Sequence, residues 1–420
     1  SPILRPHCCD IISGRQPWVF GNDTMEIVKK YIYMRYRLLN VLYTSSYKHS
    51  FDGLGVIKPL SFNYPNDRKL INNYTSYLFG DNIFVKPIVN EIAKPLTKKN
   101  FIGKIKVSYY QMNGKKASKL KDYSIKPTNL MNACEFENGE NIKVVYRCKL
   151  TFDKDVDLYF SNSFSPMLEY KVYIDDKLTY SNKSFSTLSE YVRKLKKNKQ
   201  YNVRVESMYI ANNVFTFAVN PTKKKFKEKI YLPEGEWYDV TLGNVYQGGR
   251  YVKKNYSIEE MPLFVKAGAL LPLYSKVDNI SKMSLKDICY DFYPSRNVKT
   301  HDFFYEDDGK TTGYKVDVCR KNYYDIKFVD NQYIVDLHSS ENNLDDDINI
   351  RNVMFKMHVR DSEKIESVTI NGNNVKFYNH DHHKEAVPFN STAFALDSKT
   401  MNFKFKQDIR KEYQIIIKVK

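Results

Sequence analysis

The residues with the most capacity for chemistry lie in the first stretch of the chain, SPILRPHCCDIISGRQPWVFG, where Arg5, His7, Arg15 and Trp18 crowd one short loop around Gly14 and Pro17. A histidine, arginines and a bulky aromatic ahead of a helix suit polar recognition, because loops carry function on a rigid scaffold. The same composition also suits a surface loop anchored by one buried Trp. The loop's residue types suit a binding site, and Ser-His-Asp, P-loop and dinucleotide patterns are absent. No cofactor is called for. Two further clusters invite a metal reading. Glu306, Asp307, Asp308 and Gly309 form an acidic turn but lack the alternating ligand spacing of a calcium loop, and a solvated turn is expected. His380, Asp381, His382 and His383 are adjacent, and adjacent side chains do not converge easily on one ion. The six cysteines include no CxxC pair. No metal site is expected.

These residues need a scaffold. From Thr24 to about Ser50 apolar residues recur at helical period, with Ile27, Tyr31, Met34, Leu38 and Leu42 on one stripe, and Asp52-Gly53 ends the run. Val56 to Phe62 reads as a short strand. Tyr77 to Val89 reads as two strands meeting at Gly80-Asp81. From Asn90 to Thr222 short alternating strands follow one another (KIKVSYYQ, NIKVVYRCKL, VDLYFS, YKVYIDDKLTY, QYNVRVESMYI, NVFTFAV), the pattern of an all-β sandwich. Further strands carry Trp237, Tyr238 and Asp239, with Gly248-Gly249 in a turn. The remainder to Lys420 is again strand-rich, with an Asn-Gly hairpin signal inside Val368 to Tyr378.

A chain of 420 residues exceeds one ordinary domain, and 15% aromatics favour packed β structure. There is no apolar run of membrane length, so no membrane span is expected. The net charge of +18 raises nucleic acid as a partner. The lysines are spread along the chain, however, and no zinc-finger, RNP-type or helix-turn-helix pattern accompanies them, so no nucleic acid is expected.

The run from Pro2 to Gly21 resembles the loop after the seventh strand of the (β/α)8 barrel in glycoside hydrolase family 31, the α-glucosidases and α-xylosidases. That loop reads Pro-(Leu/Ile)-(Phe/Met)-Arg-x-His, then Arg-Glu-Pro-Trp-x-Phe-Gly. Here Pro2, Ile3, Leu4, Arg5, Pro6 and His7 stand in that order, followed by Arg15, Gln16, Pro17, Trp18, Val19, Phe20 and Gly21. The resemblance implies that His7 hydrogen-bonds a hydroxyl of the sugar in the cleavage subsite and that Arg5 braces the loop. Arg35 to Tyr43 is similar to the family's next helix, with Asn40 where proline is usual. Val56 to Phe62 is similar to its last barrel strand, with Lys58 for arginine. Ile230 to Leu273 resembles its proximal C-terminal sandwich, and Asp302 to Tyr314 its distal Tyr-Glu-Asp-Asp-Gly hairpin. The intervening segment resembles the β-sandwich module named after anthrax protective antigen, with Asp176 and Asn198 at usual glycine positions.

The fold expected is therefore multidomain and mostly β: a C-terminal piece of a (β/α)8 TIM barrel followed by β-sandwich domains. The last part of the barrel would occupy residues 1–59, the proximal sandwich 60–89 and 223–276, the inserted module 90–222, and the distal sandwich 277–420. Retaining cleavage needs two carboxyl groups about 5–5.5 Å apart, which the family supplies in Trp-x-Asp-Met and Ser-Gly-Asp contexts. Neither context occurs here, so no catalytic residue is expected in this chain, and its substrate-binding residues would be His7 and Arg5. The implied function is that of the C-terminal segment of a retaining α-glycosidase, acting on an α-linked oligosaccharide with an upstream segment as partner. Without that partner, the stripe from Ile27 to Leu42 is expected to lack a surface to cover. The alternative is a non-catalytic carbohydrate-binding or scaffold protein derived from such an enzyme, which Gln16 in place of glutamate favours.

Overall fold

A computed structural model describes residues 16–20, 22–88, 94–127, 130–132, 141–162, 170–182, 190–208, 214–221, 226–241, 243–257, 259–275, 277–344, 346–380 and 400–420. The chain divides into two compact units, one built from residues 23–89 and 225–420 and the other from residues 90–224.

In the first unit the expected helix is two: α1 (Asn22–Arg37) and α2 (Leu39–Asp52). Leu38, at φ −83° and ψ 8°, separates them, while its N–H still bonds the Met34 carbonyl at 3.0 Å. The stop falls where the sequence puts it. Gly53 takes φ +73° and caps the His49 carbonyl, a left-handed position that costs glycine nothing. From Tyr31 to Leu42 the helical stripe is not left uncovered. Tyr31, Met34 and Leu38 face Phe79, Ile83, Val85 and Leu263 across a small apolar cavity, and Leu38 is buried in that core. The sandwich sheet supplies the wall that a barrel was expected to supply.

That sheet runs Ile57–Lys58, Tyr77–Phe79, Ile83–Val85, Leu263–Lys266, Glu236–Asp239, Val245–Gln247, each paired antiparallel with the next. Val56 to Phe62 is thus not one strand but two paired residues and a helical turn, Leu60–Asn63. Pro59 explains the change: it has no N–H for the ladder and its φ of −56° suits the entry to a helix. Across the core lie Phe226–Leu232 and Arg250–Tyr256. Trp237 is fully buried between them against Phe84, its indole N–H donating to the Pro233 carbonyl at 2.9 Å.

The rest of the first unit is a second sandwich of a five-stranded and a seven-stranded sheet over one core. It contains a parallel pair, Asp287–Tyr293 beside Ile350–His358. The Asn-Gly hairpin forms, with Asn371 and Gly372 both at positive φ.

Residues 90–224 form a sandwich of their own, its six-stranded sheet running Lys177–Asn182, Tyr170–Ile174, Gln200–Met208, Ile142–Thr151, Ile105–Asn113, Lys116–Ile125. Asp176 and Asn198 sit at φ +60° and +56°, which explains why glycine is the usual residue there.

Candidate functional site

His7 and Arg5 lie outside the described residues, as do Gly14 and Arg15. The loop is described from Gln16. Pro17–Phe20 forms one 3-10 turn leading to α1, and Trp18 is 64% exposed, so it does not anchor the loop as a buried residue would.

What can be built upward is the support of the helices that follow. Asn40, Tyr43, Thr44 and Tyr47 recur at helical spacing on α2 and meet the strand Thr300–Glu306. The Asn40 amide donates to the Tyr274 hydroxyl at 3.0 Å and the Tyr305 carbonyl at 3.3 Å. Thr44 Oγ1 accepts the Tyr305 N–H at 2.9 Å, and the Tyr47 ring stacks on Tyr305 at 3.9 Å. Asn40 is buried, so the residue standing in a usual proline position is a polar tie between helix and sheet.

Three charge clusters with buried members lie in the first compact unit. Lys58, 2% exposed, donates to Asp81 and lies 3.4 Å from His49 Nε2. Burial pushes the Asp81 carboxyl up, but the Lys58 hydrogen bond and charge, with His49 and Lys48, hold it below the usual carboxylate range. Glu306 was expected in a solvated turn; it is instead buried, ion-paired to Arg320 and Arg351. Burial again raises it and the two guanidiniums outweigh that. Asp291, fully buried, accepts from His358 Nε2 at 2.9 Å and the Tyr293 hydroxyl at 3.1 Å, with Lys356 at 3.4 Å.

Each of these carboxylates is held ionised by a cation, which suits a structural lock and not a general acid that must carry a proton. Among the described residues no group of three histidine, cysteine or acidic side chains could hold a metal ion. Of the histidine cluster only His380 is described.

His358 gives the Asp291 cluster a pH dependence. Burial lowers its pKa, the Asp291 carboxylate opposes that, and the net direction is down from 6.5. The folded state therefore keeps the ring neutral while the unfolded chain takes up a proton near pH 6.5. The stability from this group is present above about pH 6.5 and falls as pH drops toward the folded pKa, by at most about 1.4 kcal/mol per pH unit. Urea unfolding at pH 7.5 and 5.5 should show this loss, and His358→Gln should shrink the difference; an unchanged difference would remove His358 as its source.

Sequence reasoning passed over Arg320 and Arg351, placed Lys58 on a strand without a partner and put Glu306 in a solvated turn. Strand alternation holds a signal for two of them: Arg320 shares its inward face with Tyr324 and Ile326, and Arg351 shares its own with Val353 and Phe355. A charged residue on an apolar face needs a buried counter-ion.

Two helices packed on β-sandwich sheets, following a histidine- and arginine-bearing stretch of sequence, mark the class as the C-terminal portion of a glycoside hydrolase-type protein. Residues 1–45 match the glycosyl hydrolases family 31 TIM-barrel domain, and residues 53–146 and 199–271 match the glycosyl hydrolase family 31 C-terminal domain, together about half of the chain. The chain belongs to glycoside hydrolase family 31. The break in the second match lies within the second compact unit. Alpha-glucosidase 2 of Bacillus thermoamyloliquefaciens is 38% identical over 89 residues, which is 21% of this chain and 11% of that protein. The alpha-xylosidase of Saccharolobus solfataricus is 31% identical over 87 residues, 21% of this chain and 12% of that protein. The Flavobacterium johnsoniae family 31 dextranase shares the fold over 96% of this chain and 34% of its own, with a TM-score of 0.55 at 18% identity. The chain thus spans about a tenth of the length of these curated relatives and a third of that structure. Among the described residues no helix is long and apolar enough to cross a membrane.

Proposed function

We propose that this chain is the C-terminal segment of a retaining α-glycosidase that removes α-linked glucose or xylose from oligosaccharides. The observation that carries this reading is the position of the barrel match: residues 1–45 match the family's TIM-barrel domain and the C-terminal domain match follows at residue 53. The His7 loop belongs to that barrel portion. Relatives named as an alpha-glucosidase and an alpha-xylosidase support the substrate class. The nucleophile and acid/base aspartates come from an upstream segment that carries the Trp-x-Asp-Met and Ser-Gly-Asp strands. Arg5 braces the loop, and His7 donates or accepts a hydrogen bond at a sugar hydroxyl that tightens in the oxocarbenium-like transition state. The sandwich of residues 90–222 is an inserted module like that of anthrax protective antigen. Positive φ at Asp176 and Asn198, where that module carries glycines, supports the likeness.

The test is turnover of p-nitrophenyl α-glucoside and α-xyloside by the 420-residue chain alone and by the chain joined to its upstream segment. The chain alone should show no hydrolysis above background, since both carboxyl groups are supplied from outside it. The joined protein should turn over one of the two substrates, and His7→Ala should lower that turnover at unchanged melting temperature. Hydrolysis by the pure 420-residue chain would overturn the segment reading. No turnover by the joined protein would favour the second reading, a non-catalytic carbohydrate-binding or scaffold protein, to which Gln16 in place of the family's glutamate points.

A further inference from the structure

We propose that the outer face of the six-stranded sheet in residues 90–224 binds an acidic polysaccharide bearing one carboxylate per sugar. Between residues 90 and 222 the chain has 23 Lys and Arg against 13 Asp and Glu, so more than half of the net +18 lies in under a third of the length. Part of this charge is set in register. Lys106 stands opposite Arg147, Arg147 opposite Arg204, and Arg204 opposite Tyr173, on four adjacent strands. Their chain neighbours Val107, Tyr146, Cys148, Val203 and Val205 fill the core, so the alternation of a strand turns the cations to the opposite face. Lys149 continues the same face two residues beyond Arg147.

Like charges directly opposite one another on neighbouring strands destabilise a sheet. The usual use of lysine in sheets, guarding an exposed edge, accounts for the outermost strand Lys116–Ile125 but not for Arg147 and Arg204, which lie on the two central strands. Among the described strand residues two carboxylates lie on this face. Asp122 is taken by Lys119, and Glu206 by Arg204 and Lys143. Lys106, Arg147 and Lys149 are exposed and form no ion pair among the described residues.

The spacing selects the ligand. Neighbouring strands lie about 4.8 Å apart, so cations in one row recur at that interval. One pyranose advances a polysaccharide by nearly the same length, and a uronic acid polymer offers one carboxylate per ring. A single-stranded nucleic acid needs open aromatic platforms on which bases stack. The aromatic ending this row, Tyr173, is covered by the Arg204 guanidinium at 3.9 Å. The choice of a sugar polymer rests on the glycosidase reading; the cation row does not.

The experiment is isothermal titration of the full 420-residue chain with oligogalacturonate of about twelve sugars, with neutral dextran of equal length and with oligo(dT), at 50 and 200 mM NaCl. Oligogalacturonate should bind and dextran should not, and the affinity should fall about tenfold or more between the two salt concentrations, as release of counterions from three or more contacts requires. Lys106→Gln with Arg147→Gln should weaken binding at least tenfold, with melting temperature unchanged or raised because the opposed charges are gone. Lys227→Gln with Lys253→Gln, an equal loss of charge from the other compact unit, should change it less than twofold. If the first pair does not fold, Lys149→Glu on its exposed side chain takes its place with the same expected loss. No binding of oligogalacturonate at 50 mM salt, equal losses from both pairs, or tighter binding of oligo(dT) would each overturn the proposal. None of these readouts needs turnover, so failure here is distinct from failure of the glycosidase reading.

Discussion

Glu306→Ala should destabilise the first compact unit by about 3–5 kcal/mol, the cost of leaving buried charge without its partner. The side chain ends the strand Thr300–Glu306 and meets two arginines, Arg320 and Arg351, that have no exposed surface. Arg351 bonds one carboxylate oxygen, Arg320 lies 3.4 Å from the same oxygen, and the Asn322 amide donates to it at 3.2 Å. The Tyr274 hydroxyl donates to the other oxygen at 3.2 Å and itself accepts from Asn40 on α2. Arg320 has a second acid, Asp346, while Arg351 depends on Glu306. Removing the carboxylate therefore strands Arg351 in the core and loosens the joint to α2 together. Glu306→Gln should cost less than alanine, since it keeps the acceptor for Tyr274. Glu306→Gln combined with Arg351→Met should recover part of the loss, because the guanidinium that Glu306→Gln leaves without a counter-charge is removed with it. The pH window follows from the direction of the shift. The folded-state carboxyl lies below 4.5, so its stabilisation is complete above about pH 4.5 and is lost as pH falls through the folded value. Urea midpoints at pH 7 and pH 3.5 for the three variants check this; a loss under 1 kcal/mol for alanine at pH 7 would show that water reaches Arg351.

Much of this architecture is legible in the residues because turns and alternation are local. Gly53 ends α2, Asn371-Gly372 closes its hairpin, and Asp175-Asp176 closes another, each at the positive φ that its residue types tolerate. Trp237 could be placed in the core from its neighbours alone, and it is fully buried. What fails is what depends on partners far along the chain. The stripe from Tyr31 to Leu38 specifies an apolar partner but not which one, and the sandwich strands Phe79, Ile83, Val85 and Leu263 fill that role. Val56 to Phe62 has strand composition, yet Pro59 limits the pairing to two residues. Glu306 sits in an acidic run that looks solvated until Arg320 and Arg351 arrive from other strands. Arg5 and His7 rest on the resemblance of their loop, whose order and spacing carry the assignment where no contact does.

Gly248→Ala should unfold the proximal sandwich or destabilise it by more than about 4 kcal/mol, a loss reserved for core disruption. Gly248 and Gly249 look interchangeable in the sequence and are not so in space. At Gly248 a Cβ would stand 1.7 Å from the Pro233 carbonyl oxygen and 2.9 Å from that of Gly235, both backbone atoms with no rotamer to yield. Gly249 has open space around it but takes φ +72°, where alanine costs about 1–2 kcal/mol. The Pro233 carbonyl is also the acceptor for the buried Trp237 N–H, and Gly248 donates its own N–H to Gly235 at 2.6 Å. Moving the 233–235 segment aside to admit a methyl group would break both bonds, leaving an unpaired indole N–H in the core at a further cost of about 1–3 kcal/mol. The chain has two tryptophans, and Trp18 is the exposed one, so in a Trp18→Phe background fluorescence reports Trp237 alone. In that background Gly249→Ala should keep the blue-shifted emission of a buried indole and lower the urea midpoint modestly. Gly248→Ala should shift the emission to the red before any urea is added. Equal midpoints for the two variants would mean that the 233–235 segment gives way freely, and that the close approach at Gly248 does not hold Trp237 in place.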